Sequence, residues 1–216
     1  NLNQKTAAAL EQLMWRYADE LISRGELAQQ VAQLAGPTSA VALQAYQFFT
    51  GRTPGQPGMA WLVDSVDNAN DLTDPYYAGF NTANRYINFA VNLGVQGEGK
   101  SGFEAAFGAL DFTAAVRKAY DEIIGFDEAK AGGLDVDAAI AWVVSQKSYF
   151  DALGGSALGG KAAMVGYLMY AGFEAKVGIY SDATHDWLVD AFNGQAAYGV
   201  DLIGQSSVQV LEHFAA

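Results

Sequence analysis

Apolar side chains recur at the three- and four-residue spacing of an amphipathic helix along nearly the whole chain. Two such stripes are Leu10, Leu13, Met14, Tyr17 and Leu21, and Tyr76, Phe80, Ala83, Ile87 and Ala90. Runs of alternating, β-branched residues are nearly missing, which leaves little material for a sheet. The pattern therefore predicts an all-α fold, arranged as a multi-helix spiral or bundle.

Many of the 24 glycines follow an apolar-periodic segment, where glycine can end a helix in the left-handed conformation. The predicted helix ends are Gly36, Gly51, Gly94, Gly125, Gly154 and Gly194. The predicted N-caps are Thr38 or Ser39, Asp74 before Pro75, Asp111 and Asp135. About eight to ten helices of ordinary length result.

An internal repeat organises these helices. Its pattern is Tyr-x4-Gly, a loop, and then Trp with two aliphatic residues. The copies are Tyr46, Gly51 and Trp61; Tyr120, Gly125 and Trp142; and Tyr167, Gly172 and Trp187. Each copy indicates a helix that ends on a glycine and a next helix whose tryptophan packs back on the first. Since tryptophans are highly buried on average, we expect all three in the core of these degenerate helix–loop–helix repeats.

Composition limits the classes of partner. Half of the residues are hydrophobic and the net charge is -12, so a sizeable core is available and nucleic acid would be repelled. Cysteine is absent, which excludes disulfides, thiolate zinc sites and cysteine nucleophiles. No apolar run is long enough for membrane insertion. Because Asn1 begins the chain without an initiator Met or a signal peptide, we expect a piece of a longer protein.

An acidic segment followed by aromatic residues is the main candidate site. The candidate calcium ligands are Asp64, Asp67, Asn70, Asp71 and Asp74, since calcium takes several carboxylate and carbonyl oxygens. The candidate ligand-binding residues are Trp61, Tyr76, Tyr77, Phe80 and Arg85; aromatic faces beside polar groups suit sugar rings. The alternative is that these carboxylates are solvated helix caps.

Three further motifs have simpler structural interpretations. Gly94–Ser101 matches the phosphate-loop pattern G-x4-G-K-S, but a helix with Asn88 and Asn92 on its wet face is predicted before it, so we expect an interhelical loop. Gly154–Gly160 is interpreted as a flexible linker, and His185 as a surface helix histidine. Asp135 and Asp137 resemble part of a calcium-binding repeat, which a helix N-cap explains equally well. No catalytic motif is present, so we expect no enzyme.

Several strings of residues resemble a known family. They are Tyr46–Gly51, Leu62–Ser65, Asn70–Leu72, Tyr76–Tyr77, Asn84–Phe89 and Ala119–Gly125. Together they are similar to the N-terminal anchoring domain of S-layer proteins of stalked bacteria, and to the similar domain of S-layer-associated secreted proteases. The resemblance covers residues 38 to 145 well and about the last 70 residues weakly.

The resemblance implies a helical spiral that attaches a secreted protein to lipopolysaccharide O-antigen at the bacterial surface, with calcium and with type I secretion. We therefore expect residues 1–216 to form one non-catalytic anchoring domain, with lobes 1–110 and 111–216 as the alternative division. The rival functions are a protein–protein module that docks onto an S-layer and, more remotely, an NTPase that uses the Gly94–Ser101 loop.

Overall fold

The computed structural model describes residues 4–63 and 79–193, and these are helical with no strand, which confirms the all-α prediction. The helices are α1 Gln4–Ala18, α2 Arg24–Ala35, α3 Val41–Thr50, α4 Gln56–Val63, α5 Thr82–Val91, α6 Lys100–Phe107, α7 Phe112–Ile123, α8 Phe126–Ala131, α9 Val136–Ser145, α10 Lys147–Gly154, α11 Ala157–Ala175 and α12 Ile179–Asn193. Two π-helical turns, Gly36–Ala40 and Asn92–Gln96, continue α2 and α5 respectively.

Helix α11 is the centre of the packing, and α5, α7, α10 and α12 all contact it. Its glycines allow this close approach. A Cβ at Gly166 would lie 2.5 Å from the Tyr86 backbone oxygen of α5, so only glycine fits there. Because backbones that meet so closely exclude water along the contact, α5 and α11 form a tightly packed central pair.

The main hydrophobic core extends along the chain from Ala40 to Leu188. A second, smaller cluster joins α1 to α2 through Leu13, Ile22 and Leu27. Since α2 also contacts α12, the amino-terminal helical pair is attached to the rest through that contact.

The structure confirms some predicted helix limits and contradicts others. Asp111 and Asp135 are N-caps, each accepting a hydrogen bond from the backbone N–H three residues ahead. Gly51 ends α3 with a left-handed φ of 66°. Gly36 and Gly94, however, lie inside the π-helical turns, and the predicted caps Thr38 and Ser39 lie in the first of these turns. Asp74 and Gly194 fall outside the described residues.

Close packing explains why Gly94 does not end a helix, since a Cβ there would lie 2.5 Å from Cε1 of Phe49. Gly36 does follow the last residue of α2 as its C-cap, but in the right-handed conformation, with φ -50°, rather than the predicted left-handed one. Gly172 is inside α11, whose left-handed C-cap is instead Lys176, with φ 54°. Sequence reasoning took each glycine as a left-handed terminator, and none of the three has that conformation.

The segment Gly154–Gly160 is not a flexible linker. Gly155 has φ 67°, and Ser156 caps α11 by accepting a hydrogen bond from the Gly159 N–H at 2.9 Å. A Cβ at Gly154 would lie 2.0 Å from the carbonyl carbon of Gly159, so the two backbones are in contact. The prediction was wrong because small residues at a tight helix–helix turn have the same composition as a linker.

The prediction that all three repeat tryptophans lie in the core holds for one of them. Trp187 is 3% exposed, but Trp61 is 48% and Trp142 is 49% exposed. Helix α9 buries Val136, Ile140 and Val143, which are spaced at one helical face, and Trp142 lies off that stripe. The repeat therefore places two aromatic side chains at the surface.

Candidate functional site

The predicted site falls partly outside the part of the chain that the structure describes. The residues outside it are Asp64, Asp67, Asn70, Asp71, Asp74, Tyr76 and Tyr77. Trp61, Phe80 and Arg85 are described, and they lie on the two sides of this segment. The described part of the predicted site is therefore its two flanks.

Trp61 lies near the carboxyl end of α4, just before the acidic segment. The same helix buries Met59 and Leu62 against the main core. Because those two side chains occupy the inward face, the half-exposed indole of Trp61 projects from the other side. A half-exposed indole presents part of a flat apolar face to solvent.

Arg85 holds the other flank in place. Its guanidinium donates hydrogen bonds to the Pro37 carbonyl oxygen at 3.1 Å and to the Phe80 carbonyl oxygen at 3.4 Å. Burial lowers the pKa of this guanidinium. Phe80 packs against the main core, and Asn81 caps α5. Both candidate ligand-binding residues on this flank therefore have contacts within the protein.

The π-helical turn Gly36–Ala40 connects the two flanks. Helix α4 contacts this turn, and Arg85 bonds to its Pro37 oxygen. The residues on both sides of the acidic segment are thus fixed to one short stretch of backbone. That arrangement fixes the positions of the described residues on either side of the segment.

The Gly94–Ser101 loop is a packing element. Helix α5 precedes it, and Asn92 donates to the Asn88 side chain at 3.0 Å, so the predicted helical context is confirmed. A Cβ at Gly99 would lie 2.6 Å from Cβ of Phe49. Lys100 is exposed in the first turn of α6. A phosphate loop needs a buried strand before it, and the described residues contain none.

No group of three or more His, Cys, Asp or Glu side chains capable of holding a metal lies within residues 4–63 and 79–193. Asp135 accepts a hydrogen bond from the Ala138 N–H at 3.0 Å, and Asp137 lies 3.8 Å from Arg117. The helix-cap interpretation of Asp135 is therefore confirmed.

His185 is not a simple surface histidine. Its ring is half-buried and stacks on Phe173 with 4.6 Å between centroids and an interplanar angle of 11°. Its Nδ1 lies 2.8 Å from the Ser181 carbonyl oxygen. The side chain belongs to the contact between α11 and α12, which helical periodicity alone did not reveal.

Sequence reasoning also missed a buried cation. Lys161 is 6% exposed, and its ammonium donates hydrogen bonds to the carbonyl oxygens of Phe107, Gly108 and Leu110, at 2.7, 3.0 and 2.5 Å. These oxygens lie where α6 ends, so the ammonium satisfies backbone acceptors that a helix terminus leaves open. No local pattern distinguishes this lysine from an exposed one.

A cleft of about 400 Å³ lies between the end of α3 and α6. Its lining residues are Phe48, Phe49, Thr50, Gly51, Gly102, Phe103, Ala105, Ala106 and Phe107. The phenyl rings pack against one another, as in the 4.9 Å pair of Phe49 and Phe103. None of these described lining residues is ionisable.

None of the described helices combines the length and the hydropathy that crossing a bilayer requires. No curated protein matches the chain. The family model described as the RsaA N-terminal domain matches residues 38–211, well over half of the sequence. The match starts in the π-helical turn after α2 and extends through α12, and this family has an anchoring role in S-layers at the cell surface. The chain therefore belongs to the RsaA N-terminal domain family.

Proposed function

We propose that this domain attaches its protein to the bacterial surface by binding lipopolysaccharide O-antigen polysaccharide, with calcium assisting. The observation that carries the proposal is the exposed indole of Trp61 beside the acidic and aromatic segment, in a chain whose family anchors S-layers. Aromatic faces pack well on the C–H faces of sugar rings, because a ring face carries partial negative charge.

The flanking contacts support a preorganised site. Arg85 and α4 both contact the turn Gly36–Ala40, so the described residues on either side of 64–78 are fixed to the same turn. Fixed flanks reduce the ordering entropy that binding between them costs. Trp61 then contributes contact area, while Tyr76 and Tyr77 are proposed to extend it.

Calcium is proposed at Asp64, Asp67, Asn70, Asp71 and Asp74. Carboxylates this close in sequence repel one another in a chain of net charge -12, and a divalent cation would relieve that repulsion. Calcium also coordinates hydroxyl oxygens readily, so it could bridge protein and sugar. Export through type I secretion is part of the same proposal.

One observation favours the rival function of docking onto an S-layer protein. Helix α1 exposes Met14 and Trp15, and the turn after it exposes Leu21, each by half or more of its surface. This helix precedes the family match, and exposed apolar side chains grouped in this way are typical of protein contacts.

The experiment is titration of purified, lipid-free O-antigen polysaccharide into the full chain at several salt concentrations. Trp61→Ala should weaken binding about tenfold, the equivalent of one aromatic contact. Trp15→Ala, at a tryptophan of α1 that is more exposed than Trp61, is the matched control and should bind as the unmodified protein does. Salt-insensitive binding with this pattern supports the proposal. Self-assembly without polysaccharide, and no binding to it, would instead support the docking module.

A further inference from the structure

A group of aromatic side chains lies at the surface where α9, α10 and α11 meet. We define the aromatic platform as Trp142, Tyr149, Tyr167 and Tyr170. The Trp142 and Tyr167 rings are 5.5 Å apart at 39°, and those of Tyr167 and Tyr170 are 6.2 Å apart at 56°. Tyr149 joins the group through the buried ring of Phe150, at 5.4 Å. The platform is therefore a contiguous aromatic surface built by three helices.

The outer members of this platform are open to solvent. Trp142 is 49% and Tyr149 is 48% exposed, whereas Tyr167 and Tyr170 are half-buried. Because the rings are tilted rather than parallel, Trp142 and Tyr167 form the two sides of a shallow wedge. A flat ligand with C–H groups on one face would contact both rings.

The phenol groups add hydrogen-bonding capacity to the same surface. Burial raises the pKa of Tyr167, and the nearby phenols of Tyr170 and Tyr149 raise it further. The phenols of Tyr149 and Tyr170 therefore lie near that of Tyr167. Each hydroxyl both donates and accepts, as the hydroxyls of a sugar do.

Two charged residues of α10, the helix of Tyr149, pair with each other. Lys147 and Asp151 of α10 form an ion pair with each other, and the Lys147 ammonium also lies 5.5 Å from the Phe112 ring centroid. The platform thus presents aromatic faces and neutral hydroxyls in a chain of net charge -12. That chemistry suits an uncharged ligand rather than a phosphate or a nucleic acid.

We propose that the aromatic platform is a second carbohydrate site, which takes an uncharged sugar ring of the polysaccharide through Trp142 and Tyr167. The inference rests on the proposed polysaccharide-binding function and adds a subsite on helices far along the chain from Trp61. A long polymer that contacts both sites gains avidity, because the second contact is intramolecular once the first has formed.

The test is titration of the same purified polysaccharide into the full chain carrying Trp142→Leu or Trp142→Phe. Leucine keeps apolar area but removes the aromatic face, so affinity should fall about tenfold; phenylalanine keeps the face and should stay within about threefold. Leu153→Ala, at an exposed leucine of α10, is the control for general loss of apolar surface and should not change affinity. Thermal melting of each variant verifies that the fold is retained.

The outcomes separate this inference from the proposed function. If the unmodified chain binds and Trp142→Leu binds equally well, the platform is not a sugar site, while the proposed function stands. Equal losses in Trp142→Leu and Leu153→Ala would also overturn the inference, since they indicate general apolar contact. If Trp142→Leu changes only self-association in sedimentation velocity, the platform binds a second copy of the chain. If the unmodified chain does not bind, both proposals are wrong.

Discussion

Lys161 provides the sharpest test of how the described core is held together. Its ammonium bonds to three carbonyl oxygens at the end of α6, and Lys161→Met keeps the length of the side chain while removing all three bonds. A hydrogen bond to a charged group contributes about 1.5–3 kcal/mol. The substitution also removes the cost of burying the charge, which offsets part of this loss. We therefore expect a net destabilisation of about 3 kcal/mol.

Thermal unfolding followed by circular dichroism measures this effect. For a chain of this size, a loss of about 3 kcal/mol corresponds to a decrease in Tm of about 6–12 °C. Lys100→Met is the matched control, because it makes the same chemical change at an exposed lysine and should alter stability by less than about 0.5 kcal/mol. A Lys161→Met variant that melts with the unmodified protein, or above it, would refute the reasoning.

Three further predictions follow from packing, titration and metal binding. Gly99→Ala should destabilise the protein by about 1–3 kcal/mol, because its Cβ would lie 2.6 Å from a side-chain carbon of α3. Gly102→Ala is the control and should not destabilise it, since the space around Gly102 is open. Equal chemical-denaturation midpoints for the two variants would contradict the prediction. Burial raises the pKa of the Tyr180 phenol above its value in the unfolded chain. The contribution of the neutral phenol to stability is therefore fully present below about pH 10 and is lost as the pH rises further. Tyr180→Phe should therefore move alkaline unfolding to higher pH, and an unchanged midpoint would show that this phenol is not involved. Calcium should raise the Tm of the unmodified chain, since a hundredfold excess over Kd corresponds to about 2.7 kcal/mol of added stability. It should not raise the Tm of the double variant Asp67→Ala, Asp71→Ala. If calcium leaves the Tm of the unmodified chain unchanged, the proposed site is excluded.

Helical periodicity predicted the fold class because it records which faces are buried, and α9 illustrates the principle. Its buried residues Val136, Ile140 and Val143 are spaced as the pattern requires, and Asp135 caps it as predicted. Capping by a short polar side chain is a local interaction, so the local sequence contains it.

Long-range contacts were not predictable in the same way. Gly94 and Gly166 are glycines because another helix approaches each of them. In both cases the approaching residue is 45 or more positions away in the chain. Lys161 is buried because it meets the end of α6, more than 50 residues earlier in the chain. The residue type at one position does not indicate which residue packs against it in the folded protein.

The candidate site was predicted from residue chemistry, and only its flanks can be compared with the structure. Trp61 is exposed, as a ligand-binding residue must be, although the repeat pattern assigned it to the core. Arg85 serves to fasten α5 to the turn that contains Pro37. The aromatic platform was missed because Trp142 was assigned to the core with the other repeat tryptophans.

Co-sedimentation of the full chain with smooth cells and with O-antigen-deficient cells, each with and without a calcium chelator, tests the central claim most directly. The account predicts that the chain sediments with smooth cells in calcium, and remains in solution with the deficient cells or with the chelator. Equal sedimentation with both kinds of cell would contradict it.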